Sequence, residues 1–178
     1  TTRMFQSAES FNQDLSSWDV SNVTNMGDMF KYASNFDGDI SSWDVSGVIN
    51  MFEMFEGASS FNQDISGWDV SSVTNMTNMF LNAAALSDEN KCAIHTSFSS
   101  NDNWPYDWSG LCFSPQTTED LQAAVDMWVD DNESALSTYG EINTWDVSLI
   151  TDMSELFRDK TTFNDDISNW DVSSVTVM

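Results

Sequence analysis

The 178-residue chain carries 29 Asp and Glu against 5 Lys and Arg, a net charge of −24, which argues against nucleic acid and anionic membrane as partners because both are polyanions. Apolar residues make up 40%, with 8 Trp, 12 Phe and 10 Met, too many large side chains for a disordered acidic tail. No run of eighteen apolar residues occurs and no signal peptide is visible, so direct membrane insertion of this segment is not expected.

From the start of the chain a 25-residue period dominates: Trp18, Trp43 and Trp68, and later Trp145 and Trp170, each open the tetrad Trp-Asp-Val-Ser. Phe11, Phe36, Phe61 and Phe163 precede Trp at a fixed distance, as do Leu15, Ile40, Ile65, Ile142 and Ile167. After it come Val23, Val48, Val73, Ile150 and Val175, then Met26, Met51, Met76, Met153 and Met178. Met29-Phe30, Met54-Phe55, Met79-Phe80 and Leu156-Phe157 follow, then Ala33, Ala58 and Ala83. Within a unit, Trp18 and Val20 alternate around Asp19, which predicts a short strand. Val23, Met26, Met29 and Phe30 mark one face of a short helix capped by Ser21 or Asn22. One such unit cannot cover its own apolar side, so each is expected to bury it against the next.

The pattern Ile-x-x-Trp-Asp-Val-Ser-x-Val-Thr-x-Met-x-x-Met-Phe over residues 1–86 and 139–178 resembles the repeat of BspA-type leucine-rich-repeat surface proteins. The resemblance implies a right-handed solenoid, an extracellular or cell-surface location and a role in adhesion or structural display. It brings no catalytic residues. The expected fold class is therefore an α/β repeat solenoid of leucine-rich-repeat type, with one short parallel strand and one short helical stretch per unit.

Between about 86 and 138 the repeat lapses. Residues 87–95 read as a short helix capped by Ser87, followed by a loop rich in Asn, Ser and Trp. Cys92 and Cys112 favour a disulfide over two free thiols and would staple residues 87–114 as a cap on the first array. Residues 115–138 hold a stronger helix, with Thr117 or Thr118 as its cap, Glu119 and Asp120 at its positive end, and Leu121, Ala124, Val125, Trp128 and Val129 as its apolar face. This stripe predicts an entry cap for a second array beginning at 139–178. Both chain ends fall at one phase of the repeat, which predicts a segment of a longer chain.

The sharpest candidate for chemistry is an acidic file, Asp19, Asp44, Asp69, Asp146 and Asp171, with a second file of Asp14, Asp39, Asp64, Glu141 and Asp166. Strands stacked about 4.8 Å apart would set like charges in register. Two readings follow: calcium bridging adjacent units, or a hydrogen bond from the following turn to each Asp. A Cys92–His95 dyad finds little support, because their spacing only makes them helix neighbours. The sequons at Asn22, Asn75 and Asn132 matter for glycosylation only if the source is a secreting eukaryote. The expectation is a non-catalytic extracellular repeat protein with no required cofactor, meeting a protein or glycan at a cell surface. The alternative is a fibre or surface-layer subunit that assembles with copies of itself, with calcium as a possible bridge.

Overall fold

The computed structural model describes residues 2–178. The chain divides into two compact units, Thr1–Trp108 and Ser109–Met178.

In the first unit each repeat lies on the next through a backbone pattern that the residue periods do not announce. The N–H groups of Met26, Asp28, Phe30 and Tyr32 donate forward to the carbonyls of Asn50, Phe52, Met54 and Glu56 at 2.7–2.9 Å. Between them, Met29, Lys31 and Ala33 donate back to Met26, Asp28 and Phe30. The next repeat does the same: Met51, Glu53, Phe55 and Gly57 donate forward to Asn75, Thr77, Met79 and Leu81. Alternate residues thus bind the neighbouring repeat, and those between close local turns, so the backbone groups of this buried segment are paired as burial demands.

The alternation depends on left-handed residues. Asp28 and Tyr32 have φ of 56° and 57°, and the pairs Glu53 and Gly57, Asn78 and Asn82, and Glu155 and Asp159 also have positive φ. A left-handed residue at every fourth position cannot belong to a right-handed helix. The helical stretch expected after each Trp-Asp-Val is therefore a run of turns.

The expected strand is also absent. Among the described residues there is no strand or sheet, only the isolated parallel bridges Asn25–Asn50, Asn50–Asn75 and Asp152–Val177. The Trp-Asp-Val segment closes local turns instead: the N–H of Trp43 bonds back to Ile40 at 3.1 Å, and that of Val48 to Val45 at 2.8 Å. An α/β solenoid of leucine-rich-repeat type with parallel strands is overturned by this backbone. The described α-helices are three, α1 (Asp88–Phe98), α2 (Thr118–Asp130) and α3 (Asn132–Tyr139), and all lie where the repeat lapses.

Side chains from the repeat positions fill the interior of the first unit. Phe36, Ile40, Met51, Met54, Phe55, Phe61 and Ile65 are fully buried. Ring planes lie nearly parallel along the repeat direction: Phe30 on Phe55 at 5.7 Å and 3°, and Trp43 on Trp68 at 6.4 Å and 4°. Within one repeat Phe30 stacks on Phe36 at 4.0 Å. A buried aromatic ring hides about 150–250 Å², and here its two faces are supplied by the repeats on either side. Ile94 and Phe98 of α1 join the same core, and Ser87 caps that helix by accepting from the Asn90 N–H.

In the second unit α2 buries Leu121, Ala124, Val125 and Trp128 against Trp145, Val147, Ile150 and Leu156. Thr117 and Asp120 form a reciprocal capping box at its start, which satisfies two of the helix's orphan N–H donors. Trp145 and Trp170 stack at 6.2 Å. The short α3, capped by Asp131, buries only Ala135.

Candidate functional site

The first acidic file lies on exposed turns in both units. Asp19, Asp44, Asp69, Asp146 and Asp171 each accept, through Oδ1, the backbone N–H of the serine two residues later, at 2.9–3.1 Å. The hydroxyls of Ser21, Ser46 and Ser148 donate to the same oxygen at 2.6 Å. This is the local side-chain-to-backbone bond expected of Asp in a turn. The second file behaves alike at Asp14, Asp39, Asp64 and Asp166, whose Oδ1 atoms accept the N–H groups of Ser16, Ser41, Ser66 and Ser168. Its fifth member, Glu141, precedes a short 3-10 helix over Ile142–Thr144.

These bonds act on the carboxyl groups. The serine side chain and then the serine N–H hold Asp19, Asp44 and Asp69 below the usual aspartate range. For Asp171 the Ser173 N–H is the larger influence. The neighbouring carboxylates Asp19 and Asp69 push Asp44 the other way, so the members of the file feel one another. Among the described residues no group of three His, Cys, Asp or Glu side chains comes together in a way that could hold a metal ion.

The other sequence candidates fall in separate places. Cys92 and Cys112 are disulfide-bonded to each other, no cysteine being free. The Nδ1 atom of His95 accepts the indole N–H of Trp104 at 3.0 Å. Asn22 and Asn132 are exposed, whereas Asn75 accepts the Thr77 N–H through its side-chain oxygen.

Sequence reasoning passed over three features. Asn25, Asn50 and Asn75 form a file whose side-chain oxygens accept the N–H two residues on, and the Asn50 amide also donates to Asn25 at 3.1 Å. The recurring Asn before each Met was a visible signal for it. Lys31 lies between Glu53 and Glu56, and the Tyr32 hydroxyl donates to Glu56 at 2.6 Å. Burial works to raise the Glu56 carboxyl, but Tyr32 and Lys31 outweigh it and hold the group below its usual value. Finally, the Tyr106 hydroxyl accepts the Phe80 N–H at 2.8 Å, a contact that no periodicity marks.

All five basic side chains are paired: Arg3 with Asp28, Lys31 with Glu53 and Glu56, Lys91 with Asp88, Arg158 with Glu155 and Lys160 with Asp126. The Asp-Ser turns therefore present negative charge that the chain's own cations do not answer. The second unit also holds an apolar hollow of about 410 Å³, lined by Met153, Leu156, Phe157, Ile167 and Trp170 of the repeat files.

Stacked repeats edged with Asp-Ser turns define a repeat protein whose recurring residues fill its interior. The chain belongs to the family described as Mycoplasma protein of unknown function, DUF285, which matches residues 1–97 and 124–178. No curated protein and no solved structure matches it. No described helix is long and apolar enough to cross a membrane.

Proposed function

We propose that this chain is a non-catalytic repeat protein that works outside the cell as a structural or adhesive surface element. The observation that carries the reading is the file of exposed Asp-Ser turns at Asp19, Asp44 and Asp69, each fixed by its own hydrogen bond. Carboxylates held this way meet a partner with little further loss of side-chain freedom. Their charge favours a protein with a basic surface, or a glycan bearing amino groups, over a polyanion. The resemblance of the Trp-Asp-Val-Ser repeat to BspA-type surface proteins supports the location. So does the disulfide, because such bonds persist in oxidising compartments.

The test is a pull-down and glycan array with the purified chain at low and high salt, against an acidic protein of scrambled sequence and equal charge. Binding above that control, weakened by salt and by Asp44→Asn with Asp69→Asn, is the expected result. Binding no stronger than the control's removes the reading.

A second reading is a self-assembling subunit, favoured by the direction of the forward bonds from Met26, Asp28 and Phe30. Each contact has a fixed order, Met26, Asp28 and Phe30 donating forward while Asn35 and Ile49 donate back to Glu9 and Thr24, so copies have a defined way to add. Electron microscopy of the concentrated protein separates the readings: filaments support assembly, and single particles count against it.

A further inference from the structure

A second hollow in the second unit, of about 180 Å³, is lined by the segment before α2, the first turns of α2 and the end of α3. Two of its walls are aromatic. Phe113 and Tyr139 lie 4.5 Å apart, tilted at 49° to each other. Both rest edge to face on the buried Trp145, at 5.2 and 5.9 Å. The Phe113 carbonyl also accepts the Asp146 N–H at 2.9 Å. The rings are therefore set before anything enters, and Pro115 and Ala123 continue the lining.

Asp120 adds a fixed charge to the same hollow. Its Oδ2 atom accepts the N–H groups of Gln116 and Thr117 at 3.3 and 3.1 Å, which holds the carboxylate still. Two donors fill the two lone pairs of that oxygen, so Oδ1 is the one with room for a further contact. Glu119 and Asp120 answer the positive end of α2, and Tyr139 is the last residue of α3, whose carbonyl end favours a cation. Among the described residues no basic side chain lines the hollow, and the chain's five basic side chains are paired elsewhere. A cation for this place has to come from outside the chain.

We propose that this hollow binds the side chain of a lysine presented by a partner protein, its stem against Phe113, Pro115 and Ala123 and its ammonium between the Tyr139 ring and Asp120 Oδ1. Lysine is apolar along its stem and charged at its tip, which matches aromatic walls and a single carboxylate oxygen. A cation beside an aromatic face is also attracted by the ring quadrupole. Arginine fits less well, because its bidentate grip needs both carboxylate oxygens and Oδ2 is already taken. The space is smaller than the range of about 300–1,000 Å³ that holds a whole small-molecule ligand, and it suits one side chain. The inference goes beyond the acidic turns, and its test with a small probe does not depend on Asp19, Asp44 or Asp69.

The test uses the full chain with N-acetyl-lysine methylamide as the probe, read by backbone amide shifts in NMR. Saturable shifts at Ala123, Tyr139 and Gly140 that weaken with salt are the expected result. The norleucine derivative, which has an alkyl stem and no ammonium, should leave those amides still. Tyr139→Leu should weaken the probe about threefold or more. Asp120→Asn should weaken it as well, with far-ultraviolet circular dichroism checking that α2 persists. Because that exchange touches a helix cap, Ala123→Lys supplies a second variant at an exposed position. Its own side chain should occupy the hollow and abolish binding. Equal shifts with the norleucine derivative, tighter binding of the arginine derivative, full binding by Ala123→Lys, or shifts confined to the Asp-Ser turns would each overturn the proposal.

Discussion

The indole N–H of Trp43 donates to the carbonyl of Leu15, 28 residues earlier, at 3.0 Å. Trp68 does the same to Ile40 at 3.1 Å, and Trp170 to Ile142 at 2.7 Å. Each indole therefore fills a file and ties its repeat to the carbonyl of the one before, a combination that neither Leu nor Phe offers. Trp43→Phe should leave the Leu15 carbonyl with the Trp18 N–H alone and cost about 0.5–1.5 kcal/mol for the lost hydrogen bond. Trp68→Ala, which also opens a cavity, should cost about 3–5 kcal/mol. Denaturant unfolding measures both. Trp18, 40% exposed, should lose less when cut to Ala, and an equal loss would show that packing depth does not set the scale.

Tyr32, Gly57 and Asn82 occupy one left-handed position in three successive repeats, with φ of 57°, 68° and 61°. At Gly57 a Cβ would stand 2.3 Å from Cδ1 of Tyr32. Gly57→Ala therefore adds a clash to the ordinary left-handed cost of about 1–2 kcal/mol. Asn82→Gly should be neutral to stabilising. Thermal melts of the two variants should move in opposite directions, or the second not at all.

Acid should loosen the turns. Asp19, Asp44, Asp69 and Asp171 are held below their ordinary values, so in the folded state they keep their charge to lower pH than in the unfolded chain. Their contribution is present above the unfolded value, about 3.9, and disappears as pH falls through the folded one. Unfolding midpoints between pH 2 and 7 should drop below about pH 4. Ser46→Ala with Ser71→Ala should flatten that drop, and an unchanged profile would deny the serine bonds their role.

Reducing the Cys92–Cys112 disulfide, or replacing both residues with Ser, should cost about 3 kcal/mol for a loop of roughly twenty residues in the chain-entropy model. Denaturant unfolding with and without a thiol reductant checks this, and coincident curves would refute it.

Lys31→Met removes the cation between Glu53 and Glu56, leaving Glu56 at 7% exposure with the Tyr32 hydroxyl. Breaking a buried pair from one side costs about 3 kcal/mol or more. Part of that loss should return as pH falls, because the isolated carboxyl then gains a proton that relieves its burial. A loss that is constant from pH 7 to about pH 4 would contradict the assignment.

The sequence by itself determined which side chains go inside. Phe36, Ile40, Met51, Phe55, Phe61 and Ile65 recur at fixed phase and are all fully buried, because a unit with one apolar side has nowhere else to put it. The helix caps at Ser87 and Thr117 were equally legible, since capping is a local hydrogen bond with a local signature. The turn role of Asp19 and its file was one of two readings that the residues left open.

Only the tertiary structure decided the path between those side chains. Met26, Met29 and Phe30 keep a helix-like spacing while Asp28 between them takes φ of 56°. Periodicity records where side chains point and is silent on the sign of φ, which is set here by forward hydrogen bonds to a repeat 24 residues on, as from Asp28 to Phe52. The same holds for Tyr106 at Phe80 and for Thr118 and Gln122 at Asp152 and Leu156. Those bonds answer orphan backbone groups that exist only once the repeats are stacked, so no local pattern in the chain foretells them.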